Sequence, residues 1–204
     1  MDSKTSDNNE IKRYALIALF ITSYIPLFII ISLRQISDNS NYLHWGGFCK
    51  TAFYCFLSKF GLAAILIIIS TVGVIGSAIL FSNIREDADN GDNVIITKVK
   101  NRNNESIGYI STYIIPFINN SFNTWVDYII FIGLMLLIYH IYIRSNMILV
   151  NPILNLKYSL IEFEYKRYDN CQIYNGIMIT KNKGLDINSK IKIYKIGFNL
   201  YYGK

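Results

Sequence analysis

Apolar and polar positions follow two different rhythms along this chain. As far as residue 143 the apolar residues come in long blocks, Tyr14–Leu33, Phe60–Ser82 and Tyr128–Ile143, none of which contains an Asp, Glu, Lys or Arg. Each is close to the length at which an α-helix, rising 1.5 Å per residue, crosses the roughly 30 Å hydrocarbon core of a bilayer. From Leu156 onward the blocks give way to short β-branched and aromatic segments at 158–166, 173–180 and 190–202. Polar clusters at Asp169-Asn170, Asn182-Lys183-Gly184 and Asp186–Ser189 separate them, as turns separate strands. Ile191, Ile193 and Tyr194 interleave with Lys190, Lys192 and Lys195, the pattern of a sheet with one buried and one wet face. Val94–Lys100 offers a further strand.

A weaker apolar run, Ile107–Phe122, contains Pro116, Asn119 and Asn120 and reaches only about 24 Å as a helix. If it crosses, the termini and the loop 83–106 lie on one side with seventeen of the twenty Lys and Arg, leaving Arg34, Lys50 and Lys59 on the other. That asymmetry satisfies the positive-inside bias, whereas a re-entrant run would put the basic C-terminal segment outside. The expected fold is therefore a membrane all-α bundle of four transmembrane helices with a small C-terminal cytoplasmic β module, SH3-like or an open sheet. The spans fall at 14–33, 60–82, 107–122 and 126–143, after a cytoplasmic tail 1–13 and before a linker and β module over 144–204. A cleaved signal peptide fits poorly. The first block is too long for a signal core, and Arg34-Gln35-Ile36-Ser37-Asp38 offers no small-residue cleavage site.

Composition adds little to this picture. The 204 residues are 52% hydrophobic and carry a net charge of +6, which in a membrane protein reports orientation first. Trp125 suits a bilayer interface, where its ring is sheltered and its N–H finds a partner. Fifty residues of sheet without disulfides bury little apolar area, so the β module is expected to lean on the loop, the helices or another protein.

Candidate chemistry is sparse. His140 lies inside the last span, where an ionisable group marks function unless it is a neutral imidazole bonded to a neighbouring helix. His44 with Cys49 and Cys55 matches no zinc module, and Cys171 leaves the cysteine count odd, so neither metal nor cofactor is expected. Asp127 reads as an interfacial carboxylate. Gly73, Gly76 and Ser77, following Ser70, put small side chains along one side of the second helix for close contact, within the bundle or between protomers. Pro26 and Pro116 interrupt helical bonding, which serves a kink by default and a gate at most. Lys190, Lys192 and Lys195, with Lys181 and Lys183, form either a patch for an anionic or acidic partner or a solvated sheet face. No phosphate loop, nucleophile elbow or paired carboxylate is present, so no enzyme is expected.

The third span, Tyr109-Ile110-Ser111-Thr112-Tyr113-Ile114-Ile115-Pro116-Phe117, and the string Asn151-Pro152-Ile153-Leu154 before the β tail resemble the KwaA family. Its members are membrane subunits of the bacterial Kiwa anti-phage defence system. The resemblance implies an inner-membrane homo-oligomer, both termini cytoplasmic, that responds to infection at the envelope. It also implies a separate cytoplasmic partner, KwaB, that acts on phage DNA, so direct nucleic-acid contact is not expected of this chain. It supplies no catalytic residues, and it makes the Asn151-Pro152 junction the expected crossing point for a signal. Two functions follow as expectations: a sensor and scaffold holding a partner on its β module, or a pore-forming effector, for which the nearly pure apolar spans offer little lining.

Overall fold

The computed structural model describes residues 13–43, 47–101, 122, 124–144, 151–167, 170–182, 184–197 and 199–204. The predicted span at 107–122 with Pro116, apart from Phe122, lies outside the described residues, as do His44, Trp45 and Lys183.

Three long apolar helices make up the helical part. Helix α1 (Arg13–Asp38) is the central one: Leu19, Tyr24 and Leu27 are buried, and the Thr22 and Ser23 hydroxyls donate back to the Leu19 carbonyl at 2.9 Å. Helix α2 (Lys50–Asp87) returns antiparallel to it, so that the Ala63 N–H donates to Gln35 Oε1 at 2.6 Å while Gly73 lies against Ile21. At 38 residues α2 is about 57 Å long, well beyond the thickness of a bilayer core. Helix α3 (Trp125–Arg144) rests on α1, where the Phe20 ring meets Tyr139 and Tyr142 edge-on at 5.1 and 5.3 Å. All three are long and apolar enough to cross a membrane, and the outer sides of α2 and α3 leave rows of Ile, Leu and Val exposed. Such rows suit lipid and would be costly in water.

The C-terminal half is a closed barrel. A single 3-10 turn, Ala88–Asn90, leads from α2 into β1 (Asp92–Asn101). After α3 come the short helix α4 (Pro152–Lys157), β2 (Ser159–Arg167), β3 (Asn170–Thr180), β4 (Lys190–Gly197) and β5 (Leu200–Gly203). The strands run around the barrel in the order β1-β2-β3-β5-β4, with β4 pairing back onto β1. All pairs are antiparallel except β3 with β5. This connectivity, with its parallel third and fifth strands, is that of an OB-type barrel, with no helix between β3 and β4 among the described residues.

Alternation decides which side chains enter. Ile161, Phe163 and Tyr165 of β2 point inward with Val94, Ile96, Met178, Ile191, Ile193 and Tyr201 to form the barrel core. Leu160, Ile179, Ile196, Leu200 and Tyr202 point outward yet are also buried, because they join Phe81, Ile84 and Ala88 of the α2 end in a second core that continues through the helices.

Two expectations are corrected here. The described residues do not form a four-helix transmembrane bundle: three helices are long and apolar, and the fourth, α4, has six residues. The β module is neither SH3-like nor an open sheet. Val94–Lys100 forms most of β1, which pairs with both β2 and β4 and so removes the free edges.

Candidate functional site

The helices meet the barrel at two junctions, and the first is built on Asn151. Its side chain is fully buried and uses every polar valence an amide has. Oδ1 accepts the N–H groups of Ile153 and Leu154 at 3.0 and 3.2 Å, capping α4, with Pro152 at the first helical position where its missing N–H costs nothing. Nδ2 donates to the Leu19 carbonyl at 3.1 Å and to the Thr22 hydroxyl at 3.0 Å, both on α1. One amide thus ties the central apolar helix to the start of the barrel. At the far end of α4, Tyr158 stacks on Phe81 of α2 at 4.9 Å and meets Tyr202 of β5 edge-on at 6.2 Å, while Arg85 reaches its hydroxyl at 3.4 Å.

The second junction is the turn from α2 into β1. Lys192 donates to the Asp89 carbonyl at 2.7 Å, and Lys204 pairs with the Asp89 carboxylate. Gly91 passes so close to β4 that an added Cβ would overlap the Ile193 carbonyl. Beside this turn, burial and the neighbouring Asp87 carboxylate push the Tyr194 phenol up. Within the barrel, Tyr165 donates to or accepts from Tyr201 at 3.0 Å, and burial raises its phenol further.

The residues singled out in the sequence are dispersed. Gly73 and Gly76 face α1, where Cβ atoms would overlap Ile21 Cγ2 and approach Ala18 Cβ at 3.0 Å; Ser77 is half-buried and donates to the Val74 carbonyl. His140 is exposed on α3, away from the side carrying Phe131, Ile138 and Tyr142. Lys190 and Lys192 share the outer face of β4 with Tyr194, whereas Lys195 is exposed at the irregularity between Lys195 and Gly197, and Lys192 is engaged by Asp89. Asp127 accepts from the Thr124 N–H and hydroxyl at the start of α3. Cys49 and Cys55 are exposed and not bridged to each other, Cys49 Sγ accepting the Ala52 N–H at 3.4 Å, and among the described residues no cluster of His, Cys, Asp or Glu suits a metal. Thr22, Tyr158, Asp89 and Gly91 carry the two junctions without having been marked in the sequence. Asn151-Pro152 signals a helix start, but nothing local announces its reach to α1.

The family described as the anti-phage protein KwaA matches residues 15–202, which takes in all three long helices and the barrel. The chain belongs to the KwaA family. It is an anti-phage defence protein, and one relative, the Kiwa protein KwaA of Escherichia coli O55:H7 strain RM12579, is 28% identical over 193 residues. That alignment covers 93% of this chain and 90% of the relative. No solved structure matches the chain.

Proposed function

We propose that this KwaA-family member is the membrane sensor and scaffold of a Kiwa-type complex: its helices register a disturbance of the inner membrane, and its barrel presents the response to a cytoplasmic KwaB-type protein. The observation that carries this reading is the Asn151 clamp, since any shift of α1 against α4 must break buried hydrogen bonds or move the barrel. The barrel end holds most of the described cations, among them Lys98, Lys166, Arg167, Lys190 and Lys195, which supports its facing the cytoplasm with the C-terminus. On the outer face of β1 and β2, Lys98 and Lys100 interleave with Glu162 and Glu164, a mixed surface suited to a protein partner rather than to a polyphosphate backbone. The role proposed is non-catalytic.

Asn151→Asp is the decisive substitution. It keeps the cap on α4 but loses both donors, setting a buried carboxyl group against the Leu19 carbonyl at a cost of at least about 1–3 kcal/mol, and more while it is ionised. Expected is a protein present in the membrane fraction at near-parental abundance that still captures its partner but no longer protects cells in a phage plaque assay. Parental protection by Asn151→Asp would overturn the coupling.

A further inference from the structure

Among the described residues the walls of the helical region do not close. Helices α2 and α3 flank α1 with an open groove between them, roughly 760 Å³ in volume, floored by residues of α1 such as Phe20 and Phe28. Gly61 and Ile65 line it on one side, and Phe131 and Met135 on the other. Its extent is informative. Although the floor reaches from Ile17 to Gln35, the walls run only from Leu57 to Ile69 on α2 and from Tyr128 to Tyr139 on α3. Each is about 16–18 Å of helix, near half of a 30 Å hydrocarbon core and therefore the depth of one leaflet. A membrane-crossing helix would need twice that wall.

At the end remote from the barrel the groove shares Gln35, Ser58 and Tyr128 with a second pocket of roughly 210 Å³. This pocket is polar. Arg34 and Lys59 stand in it together with Asp38 and Asn39, which leaves one net positive charge. Arg34 Nε is 3.9 Å from Asp38, and Lys59 Nζ sits 4.7 Å above the Tyr42 ring, so both cations are held at the mouth. An apolar channel one leaflet deep, capped at headgroup level by two cations, complements an amphiphile with one anionic head.

We propose that the groove and pocket together bind an anionic glycerophospholipid of the leaflet remote from the barrel, its phosphate at Arg34 and Lys59 and one acyl chain between α2 and α3. The inference rests on these helices crossing a bilayer and goes beyond the sensor reading by giving the membrane face a ligand.

Gly61 supplies a clean test, because a Cβ there meets open space and leucine favours a helix over glycine, so Gly61→Leu obstructs the chain path without disturbing the fold. Full-length protein in detergent is titrated with palmitoyl-oleoyl phosphatidylglycerol or with phosphatidylcholine of the same chains, and retained lipid is read by native mass spectrometry. The parent should hold phosphatidylglycerol about tenfold or more over phosphatidylcholine. The double variant Arg34→Gln, Lys59→Gln should lose that preference, and Gly61→Leu should lose retention of both lipids. Equal retention of the two lipids by the parent, or unchanged retention by Gly61→Leu, would overturn the site. So would a smaller oligomer in Gly61→Leu, which assigns the groove to a second copy. Carbonate extraction of membranes separates the two levels: protein that resists it but fails the titration loses only the lipid site, while protein that is extracted loses the spanning reading as well.

Discussion

Tyr165 and Tyr201 face each other inside the barrel, hydroxyl to hydroxyl at 3.0 Å, with Tyr174 stacked on Tyr165 at 5.6 Å. Burial and the Tyr201 hydroxyl raise the Tyr165 phenol above its ordinary value, so the folded barrel holds this proton more tightly than the unfolded chain does. The stability it contributes is fully present below about pH 10 and is lost as the pH rises through the folded value. Thermal melts of the purified protein between pH 8 and pH 11 should show a decline above pH 10 that is shallower in Tyr165→Phe. Parallel declines would show that another group carries the alkaline sensitivity. Asn151 shows the limit of the sequence at this scale. Asn-Pro announces a helix cap, but the same amide also bonds Thr22, 129 positions earlier, and no local pattern encodes so distant a partner.

The α1–α2 contact is set by absent side chains. A Cβ on Gly73 would overlap Ile21 on a neighbouring helix, whereas one on Gly76 would only press on Ala18 Cβ at 3.0 Å. Gly73→Leu should therefore lower the thermal midpoint in detergent, by about 1–3 kcal/mol of overpacking, and Gly76→Ala much less. Equal midpoints for the parent and Gly73→Leu would mean that α1 and α2 yield to the extra volume. The long helices were legible because uncharged blocks of sixteen to twenty-three residues have few alternatives, and β2 and β3 because their segments are short, β-branched and aromatic and lie between polar turns. Barrel closure was not, because β1 is separated from its partner β2 by a long apolar helix and its own seven-residue signal is too short to name a partner. The segment 190–202 read as one strand, yet Asn199, at φ 51°, turns the chain so that β5 lies along β4 and parallel to β3. A break that depends on one left-handed Asn leaves the hydrophobic pattern on either side intact.

At the scale of the whole molecule, helices and barrel share one continuous core, so they do not separate cleanly. Removing residues 156–204 strips β1 of both partners and uncovers Phe81, Ile84 and Ala88 at the end of α2. The truncated chain should still fractionate with membranes but elute as aggregate in detergent size exclusion. A monodisperse truncated protein would show that the helical part stands alone. The separation of β1 from the other four strands also bears on how the chain is made. A ribosome releases β1 before α3, and the strand then has nowhere to pair until residues 159–203 follow. On the spanning arrangement proposed above, only a chain whose α3 was inserted in the correct direction brings those residues back to meet it. Completion of the barrel would then inspect membrane insertion, and a misoriented chain would keep two bare strand edges of the kind that quality-control proteases and chaperones recognise.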